Sequence, residues 1–144
     1  MNLNELEKII DKSFNNKDEI NASSDKIIID AVNETIELTD QGKIRVAEKK
    51  NGSWMVNQWI KKAILLSFKI NKMEILRGPY TSWYDKVPGK SVNWKEEDWK
   101  KAGYRHVPNG VVRRGSYIAK NAVLMPCFVN LGAYIDEGTM IDTW

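Results

Sequence analysis

The sequence predicts an α+β protein, in which a helical N-terminal domain is followed by the first coils of a parallel β-helix. Apolar residues recur at helical spacing in three segments before residue 72. After Gly110 they recur every six positions, a period that neither an α-helix nor an ordinary strand produces. We expect a helical domain with a β-hairpin in residues 1–77, a connector in residues 78–110, and the start of an incomplete β-helix in residues 111–144.

Three amphipathic helices account for most of the N-terminal domain. The first covers about residues 3–14, the second runs from about residue 25 to residue 39, and the third lies near residues 56–68. Ser24 or Asp25 can cap the start of the second helix, and Gly42 is expected to stop it. Each segment has an apolar face and a polar face, which is the pattern of helices that share one core.

A hairpin is expected between the second and third helices. Asn51-Gly52 readily takes the positive φ angles of a tight turn, and apolar residues alternate on both sides of it. The following connector contains the helix-breaking residues Pro79, Pro88 and Pro108, with one short helix near residues 96–101. Because a long structureless loop would be unusual, we expect aromatic residues to pack this connector. These are Trp83, Tyr84, Trp94 and Trp99.

The six-residue repeat predicts the architecture of the last segment. Large apolar residues start successive hexads, and a small or short residue follows each of them four positions later. Such hexads form the short sides of a triangular parallel coil, so we expect the large residue to point inward. A run of antiparallel strands with turns at Gly132 and Gly138 remains an alternative. The large residues are Val111, Tyr117, Val123, Val129, Ile135 and Ile141, and the small ones are Gly115, Asn121, Cys127, Ala133 and Thr139.

Composition excludes several classes of function. The net charge is only +3, and basic residues are interleaved with acidic ones, so we expect no nucleic-acid partner. No apolar run approaches the ~20 residues that span a bilayer, and the first residues lack the apolar core of a signal peptide, so we expect no membrane partner. The single Cys127 suits a reducing compartment. A cytoplasmic protein is the expectation.

Four segments resemble the tetrahydrodipicolinate N-succinyltransferase family of hexapeptide-repeat acyltransferases: residues 44–49, 58–68, 83–88 and, most strongly, 123–144. The resemblance implies a left-handed β-helix and a homotrimer, although left-handedness runs against the usual crossover rule. It also implies transfer of succinyl from succinyl-CoA to the amine of tetrahydrodipicolinate, a dicarboxylate of the diaminopimelate and lysine pathway. Succinyl-CoA would be the co-substrate, with no permanently bound cofactor and no metal.

The resemblance extends to two candidate site residues. Arg105, in Gly103-Tyr104-Arg105, matches the position that clamps a substrate carboxylate, which a guanidinium can bind with two hydrogen bonds. Asp142, in Ile141-Asp142-Thr143-Trp144, matches the residue that orients the acceptor amine and has a catalytic role. Without the family, a surface ion pair is the favoured interpretation of Arg105. For Asp142, a coil-corner residue bonded to backbone and a functional residue are equally supported.

The repeat covers fewer than two full coils, whereas solenoids are stabilised by stacking several. The family's second catalytic carboxylate and CoA groove lie beyond residue 144, so we expect an inactive fragment that lacks the cofactor-binding site. Two alternatives stay open: another hexapeptide acyltransferase, acting on a sugar or amino sugar, and a non-catalytic trimerising fragment. A cysteine nucleophile at Cys127 is disfavoured, since it occupies a small-residue position and the single His106 is not spaced to pair with it.

Overall fold

Four helices occur in the part of the chain that the computed structural model describes, residues 1–78 and 80–144. They are α1 (Leu3–Asn15), α2 (Lys26–Asp40), α3 (Gln58–Ile70) and α4 (Glu96–Ala102). All four predicted helices are therefore confirmed to within a few residues. Pro79, one of the predicted helix breakers, lies outside the described residues.

The first three helices pack around one apolar core. The Asn2 side chain accepts a hydrogen bond from the Glu5 backbone N–H, and the Glu5 carboxylate accepts one from the Asn2 N–H, so a reciprocal capping box begins α1. After α2 the backbone turns at Gly42, whose φ of 70° lies in the left-handed region that glycine adopts without strain. The core residues are Leu6, Ile10, Ala31, Val32, Ala63, Leu66 and Ile70.

Two antiparallel hairpins flank α3. The strands β1 (Ala47–Lys50) and β2 (Ser53–Val56) pair across Asn51 and Gly52, which have φ values of 50° and 82°, so the predicted hairpin is confirmed. The strands β3 (Glu74–Arg77) and β4 (Ser82–Asp85) form a second hairpin that the sequence analysis did not predict.

The aromatic packing of the predicted connector is only partly right. Trp83 and Tyr84 lie on β4 and are 53% and 67% exposed, so the expectation that they pack the connector is wrong. The side chains of Trp94 and Trp99 do pack, in an edge-to-face arrangement with ring centroids 4.9 Å apart. They cover the end of the second apolar core, which lies among the parallel strands.

Seven two-residue strands follow α4, and they pair in parallel. They are β5 (Arg105–His106), β6 (Val111–Val112), β7 (Tyr117–Ile118), β8 (Val123–Leu124), β9 (Phe128–Val129), β10 (Tyr134–Ile135) and β11 (Met140–Ile141). Wherever a strand pairs, its partner is the third strand away along the chain: β5 with β8, β8 with β11, β6 with β9 and β7 with β10. This produces three small parallel sheets, so the antiparallel alternative is wrong.

The inward-facing positions differ from the prediction in the first hexads. Val112 and Leu124 are 4% and 0% exposed, whereas Val111, predicted to point inward, is 40% exposed. From Val129 onward the predicted and observed positions agree. The physical reason is that the step from Leu124 to Val129 is one residue shorter than the others. A strict six-residue count back from Val129 reaches Val123. From there toward the N-terminus, every counted position lies one residue before the residue that points inward.

A buried ion pair joins the helical part to the parallel strands. The Lys90 ammonium lies 2.6 Å from Oδ2 of Asp40, at the end of α2, and its side chain is only 7% exposed. The other carboxylate oxygen of Asp40 accepts a hydrogen bond from the Gly115 backbone N–H at 2.7 Å. Lys90 also donates to the Asp40 backbone carbonyl at 3.0 Å. The Asp40 carboxylate thereby fixes the end of α2 against the segments that contain Lys90 and Gly115.

A second ion pair at this junction gives a prediction for pH dependence. The hydrogen bond from Arg114, followed by that from Gln41, holds the pKa of Glu37 below its ordinary value. A lowered folded-state pKa stabilises the protein above the unfolded value of about 4.3, and this contribution is lost as pH falls through the folded-state value. Both side chains are nearly half exposed, so the gain is below about 1 kcal/mol.

Glu37→Gln is therefore expected to lower the free energy of unfolding slightly at pH 7, with the difference from the wild type shrinking below about pH 4. Urea unfolding across this pH range measures the difference. A loss of unfolding free energy that stays constant with pH would contradict the role of the Glu37 charge. The difference in unfolding free energy between Arg114→Gln and the wild type should likewise become smaller below about pH 4.

Candidate functional site

Arg105 lies on the three-stranded parallel sheet, and Asp142 directly follows the last strand of that sheet. Its order is β11–β8–β5, and Arg105, Val123 and Met140 are in register across it. Backbone hydrogen bonds of 2.9 Å from Arg105 N to Ala122 O and from Val123 N to Thr139 O hold the strands together. The sheet is thus a fixed platform for side chains on its outer surface.

The two surfaces of this sheet differ in polarity because side chains alternate along each strand. Leu124 is fully buried and stacks with His106 and Ile141 on the inner surface. Met140 is 62% exposed on the outer surface, in register with Arg105. Arg105 therefore lies on the solvent side of the sheet.

Arg105 is exposed and makes no ion pair within the described residues. The alternative interpretation of a surface salt bridge therefore finds no partner in this part of the chain. Its backbone is fixed on both sides, since Val107 N donates to Leu124 O at 2.9 Å. A guanidinium on a fixed backbone can offer two parallel hydrogen bonds to a carboxylate.

Asp142 directly follows β11 and is exposed. Its Oδ1 atom accepts a hydrogen bond from the Thr143 backbone N–H at 2.8 Å, which orients the carboxylate. This is the backbone bonding expected for a coil-corner residue. The second oxygen, Oδ2, has no hydrogen bond among the described residues and can accept one from a ligand.

The structure places Arg105 and Asp142 at the two outer strands of one sheet, and they form no ion pair with each other within the described residues. Arg105 belongs to β5 and Asp142 directly follows β11, and these two outer strands flank β8. Two strand spacings separate these strands, so the backbones are roughly 10 Å apart. The chain therefore presents a cation and an anion at opposite edges of one outer surface.

Cys127 does not have the surroundings of a nucleophile. The side chain is 3% exposed, and burial raises the pKa of its thiol, which disfavours the reactive thiolate. It packs in the second apolar core with Leu124 and Val129. The interpretation of Cys127 as a structural thiol agrees with this environment.

Neither a metal site nor a membrane-spanning helix is present in residues 1–78 and 80–144, the part of the chain that the structure describes. These residues contain no group of three or more His, Cys, Asp or Glu side chains placed to hold a metal ion. None of their helices has the length and apolar character needed to cross a bilayer.

Tyr104 is a polar residue of this region that the sequence analysis did not single out. It precedes Arg105, is 8% exposed, and has a buried hydroxyl without a hydrogen-bond partner within the described chain. Burial, and then the negative charge of Asp40, raise the pKa of Tyr104 to about 12. The alternation of side chains along a strand is the signal that could have found it, because it places Tyr104 opposite Arg105.

The fold and the site define a mixed helical and stranded protein whose small parallel sheets carry a charged outer surface. Residues 5–70 match the family model described as Tetrahydrodipicolinate N-succinyltransferase N-terminal. The chain belongs to the tetrahydrodipicolinate N-succinyltransferase family and carries its N-terminal domain. The resemblance read from the sequence is thereby confirmed.

Three relatives, each named 2,3,4,5-tetrahydropyridine-2,6-dicarboxylate N-succinyltransferase, illustrate the similarity. The protein from Pelagibacter ubique is 61% identical over 138 residues, covering 94% of this chain and 50% of its own length. The one from Parvibaculum lavamentivorans is 53% identical over 147 residues, covering 100% and 52%. The one from Bartonella bacilliformis is 52% identical over 143 residues, covering 97% and 51%. The chain spans about half the length of these relatives.

Proposed function

We propose that the complete protein is an N-succinyltransferase that transfers succinyl from succinyl-CoA to the amine of tetrahydrodipicolinate, in diaminopimelate and lysine biosynthesis. The observation that carries this proposal is the identity of 61% to a relative bearing that name, over 94% of this chain. Water adds across the ring C=N bond of tetrahydrodipicolinate and the ring opens, which produces the free amine. The amine nitrogen then attacks the thioester carbonyl, a C–N bond forms, the C–S bond breaks, and CoA leaves as the thiol with the proton that the amine loses. Neither a metal nor a permanently bound cofactor is required.

Arg105 and Asp142 are proposed to hold the acceptor. The acceptor carries two carboxylates and an amine, and the outer sheet surface offers a guanidinium at one edge and a carboxylate at the other. Arg105 would bind a substrate carboxylate with two hydrogen bonds. Asp142 would accept a hydrogen bond from the amine through Oδ2, because Oδ1 is engaged by Thr143. Orienting the amine lone pair toward the thioester lowers the barrier.

The finer architecture is also proposed. The pairing of each strand with the third one along supports a three-sided β-helix, which we propose to be left-handed. Exposed apolar side chains on its faces, such as Val111 and Phe128, support a homotrimer in which partner subunits cover them. The succinyl-CoA site is proposed to lie outside these 144 residues, and the protein to be cytoplasmic. The domain division at residues 77 and 110 stays a prediction.

The activity is tested by measuring CoA thiol release from succinyl-CoA with the complete protein. Release should depend on tetrahydrodipicolinate or its open-chain analogue 2-aminopimelate. An amino sugar is the matched control acceptor, because the alternative assignment is a sugar acyltransferase. Release that depends on the amino sugar, or on neither diacid, would overturn the proposed function.

Arg105→Ala is expected to raise the KM for the acceptor by about 10- to 100-fold, because a charge-assisted bidentate contact is removed. The KM for succinyl-CoA should change little. Arg77→Ala is the matched control, since Arg77 is an exposed arginine on the separate β3–β4 hairpin. Steady-state kinetics with each substrate varied in turn measure both constants. An unchanged acceptor KM in Arg105→Ala would remove Arg105 from the site.

A further inference from the structure

A cavity lies beside Tyr104, between α2, α4 and the parallel strands. Its volume is about 320 Å³, which exceeds the space of a single water and reaches the lower range of small-ligand sites. Asp40 and Gln41 bound it at the end of α2, Ala102 on α4, and Ile118 on β7. It therefore forms where the helical part meets the coil, away from the outer sheet surface.

The Tyr104 hydroxyl is the unexplained polar group of this cavity. Tyr104 lines the cavity, and its buried oxygen has no hydrogen-bond partner among the residues described. Buried phenol groups normally have a partner, since an unpaired one costs free energy. The ring cannot easily turn away, because Trp94 and Trp99 contact it edge-to-face with centroids 6.0 and 5.7 Å away. The hydroxyl is protonated at neutral pH and can donate a hydrogen bond.

The charges around the cavity favour an anion. The Lys90 ammonium and the Asp40 carboxylate, 2.6 Å apart, neutralise each other. The remaining charged side chains at the cavity are Lys101, Lys120 and Asp98, and none of them forms an ion pair in residues 1–78 and 80–144. Two ammonium groups against one carboxylate leave an excess of positive charge.

The walls favour an organic ligand over a bare inorganic ion. Trp94, Ala102 and Ile118 contribute apolar surface, next to the ring of Tyr117. A bare ion would leave this surface in contact with water, whereas a short hydrocarbon chain would cover it. A ligand with one anionic end and a small apolar body satisfies both the walls and the charges.

We propose that this cavity is a binding site for a small organic carboxylate, whose oxygens accept a hydrogen bond from Tyr104 and face the ammonium groups of Lys101 and Lys120. The site lies on the opposite side of β5 from Arg105, and it does not depend on the proposed transfer reaction. Its ligand would bridge α4, the end of α2 and the coil, so occupancy would stabilise the junction between them.

Isothermal titration of the complete protein with butyrate tests the site. Butanol and butylamine, with the same chain length, provide neutral and cationic controls. Butyrate should bind, and both controls should bind at least about tenfold more weakly. Equal binding of butanol, or no butyrate binding at millimolar concentration, would overturn the proposal and leave the cavity as a water-filled space.

Single substitutions test which side chains bind butyrate. Tyr104→Phe should weaken butyrate binding about tenfold, and thermal unfolding should show no loss of stability because the hydroxyl makes no internal hydrogen bond. Lys101→Gln should also weaken binding. Lys100→Gln is the matched control: Lys100 is the neighbouring lysine on α4, pairs with Glu96 at 2.7 Å, and does not line the cavity. Equal binding by Lys101→Gln and Lys100→Gln, or unchanged binding by Tyr104→Phe, would reject the site.

Discussion

Lys90→Met is expected to destabilise the protein by about 3–5 kcal/mol, because it removes one partner of a buried ion pair. The Asp40 carboxylate is only 18% exposed, and without Lys90 its charge is offset only by the hydrogen bond from Gly115. The substitution keeps an apolar stem of similar length, so the loss reports the charge and not a cavity. Urea unfolding followed by tryptophan fluorescence measures the change.

Two further variants separate the ion pair from the general loss of a lysine. Adding Asp40→Asn to Lys90→Met should recover most of the stability, since asparagine removes the unpaired charge and keeps an oxygen for the Gly115 N–H. Lys43→Met, at an exposed lysine near the same junction, should cost less than about 0.5 kcal/mol. A Lys90→Met penalty no larger than that of Lys43→Met would show that the pair does not hold the junction.

Local patterns predicted the elements whose stability is local. Helix α1 follows from its apolar spacing and its capping residues, and the first hairpin from Asn51-Gly52. The second hairpin was not predicted, because the residues between β3 and β4 include Gly78 and a proline, which equally indicate a loop. The Lys90–Asp40 pair joins residues 50 positions apart, and no local pattern encodes such a contact.

The six-residue period predicted the structure of the last segment only in part. It predicted parallel pairing, but the inward positions were wrong by one residue in the early hexads. Val111-Val112 and Val123-Leu124 are both adjacent apolar pairs, so either member could face inward by hydrophobicity. Only the shorter step between Leu124 and Val129 decides between them, and the three-dimensional stacking reveals that step.

The candidate site was predicted only in part. Arg105 and Asp142 came from a family resemblance, and the sequence did not show that Arg105 lies on the sheet whose last strand directly precedes Asp142. That relation depends on β5 and β11 both pairing with β8, a property of the three-stranded sheet and not of either segment. Tyr104 could have been found from alternation, whereas the cavity beside it could not, because α2, α4 and β7 form it together.

Asp142→Asn is expected to lower kcat of the complete enzyme by about 10²- to 10³-fold, with a smaller effect on the acceptor KM. The amide retains an oxygen that can accept from the Thr143 N–H, so the turn after β11 should persist. What it loses is the negative charge that would hold the acceptor amine and take its proton. Stopped-time assays of CoA release at saturating acceptor measure this loss.

The control for Asp142→Asn lies one hexad earlier. Asp136 follows Ile135 as Asp142 follows Ile141, and its Oδ1 accepts from the Glu137 N–H at 2.9 Å in the same kind of turn. Asp136→Asn therefore makes the same chemical change in the same kind of turn, after a strand of a different parallel sheet. It should leave kcat within about twofold of the wild type, because it removes no proposed substrate contact. An equal loss of kcat in the two variants would mean that the carboxylate is needed to maintain the turn and not to bind the acceptor amine. Full activity of Asp142→Asn would mean that another group orients the amine.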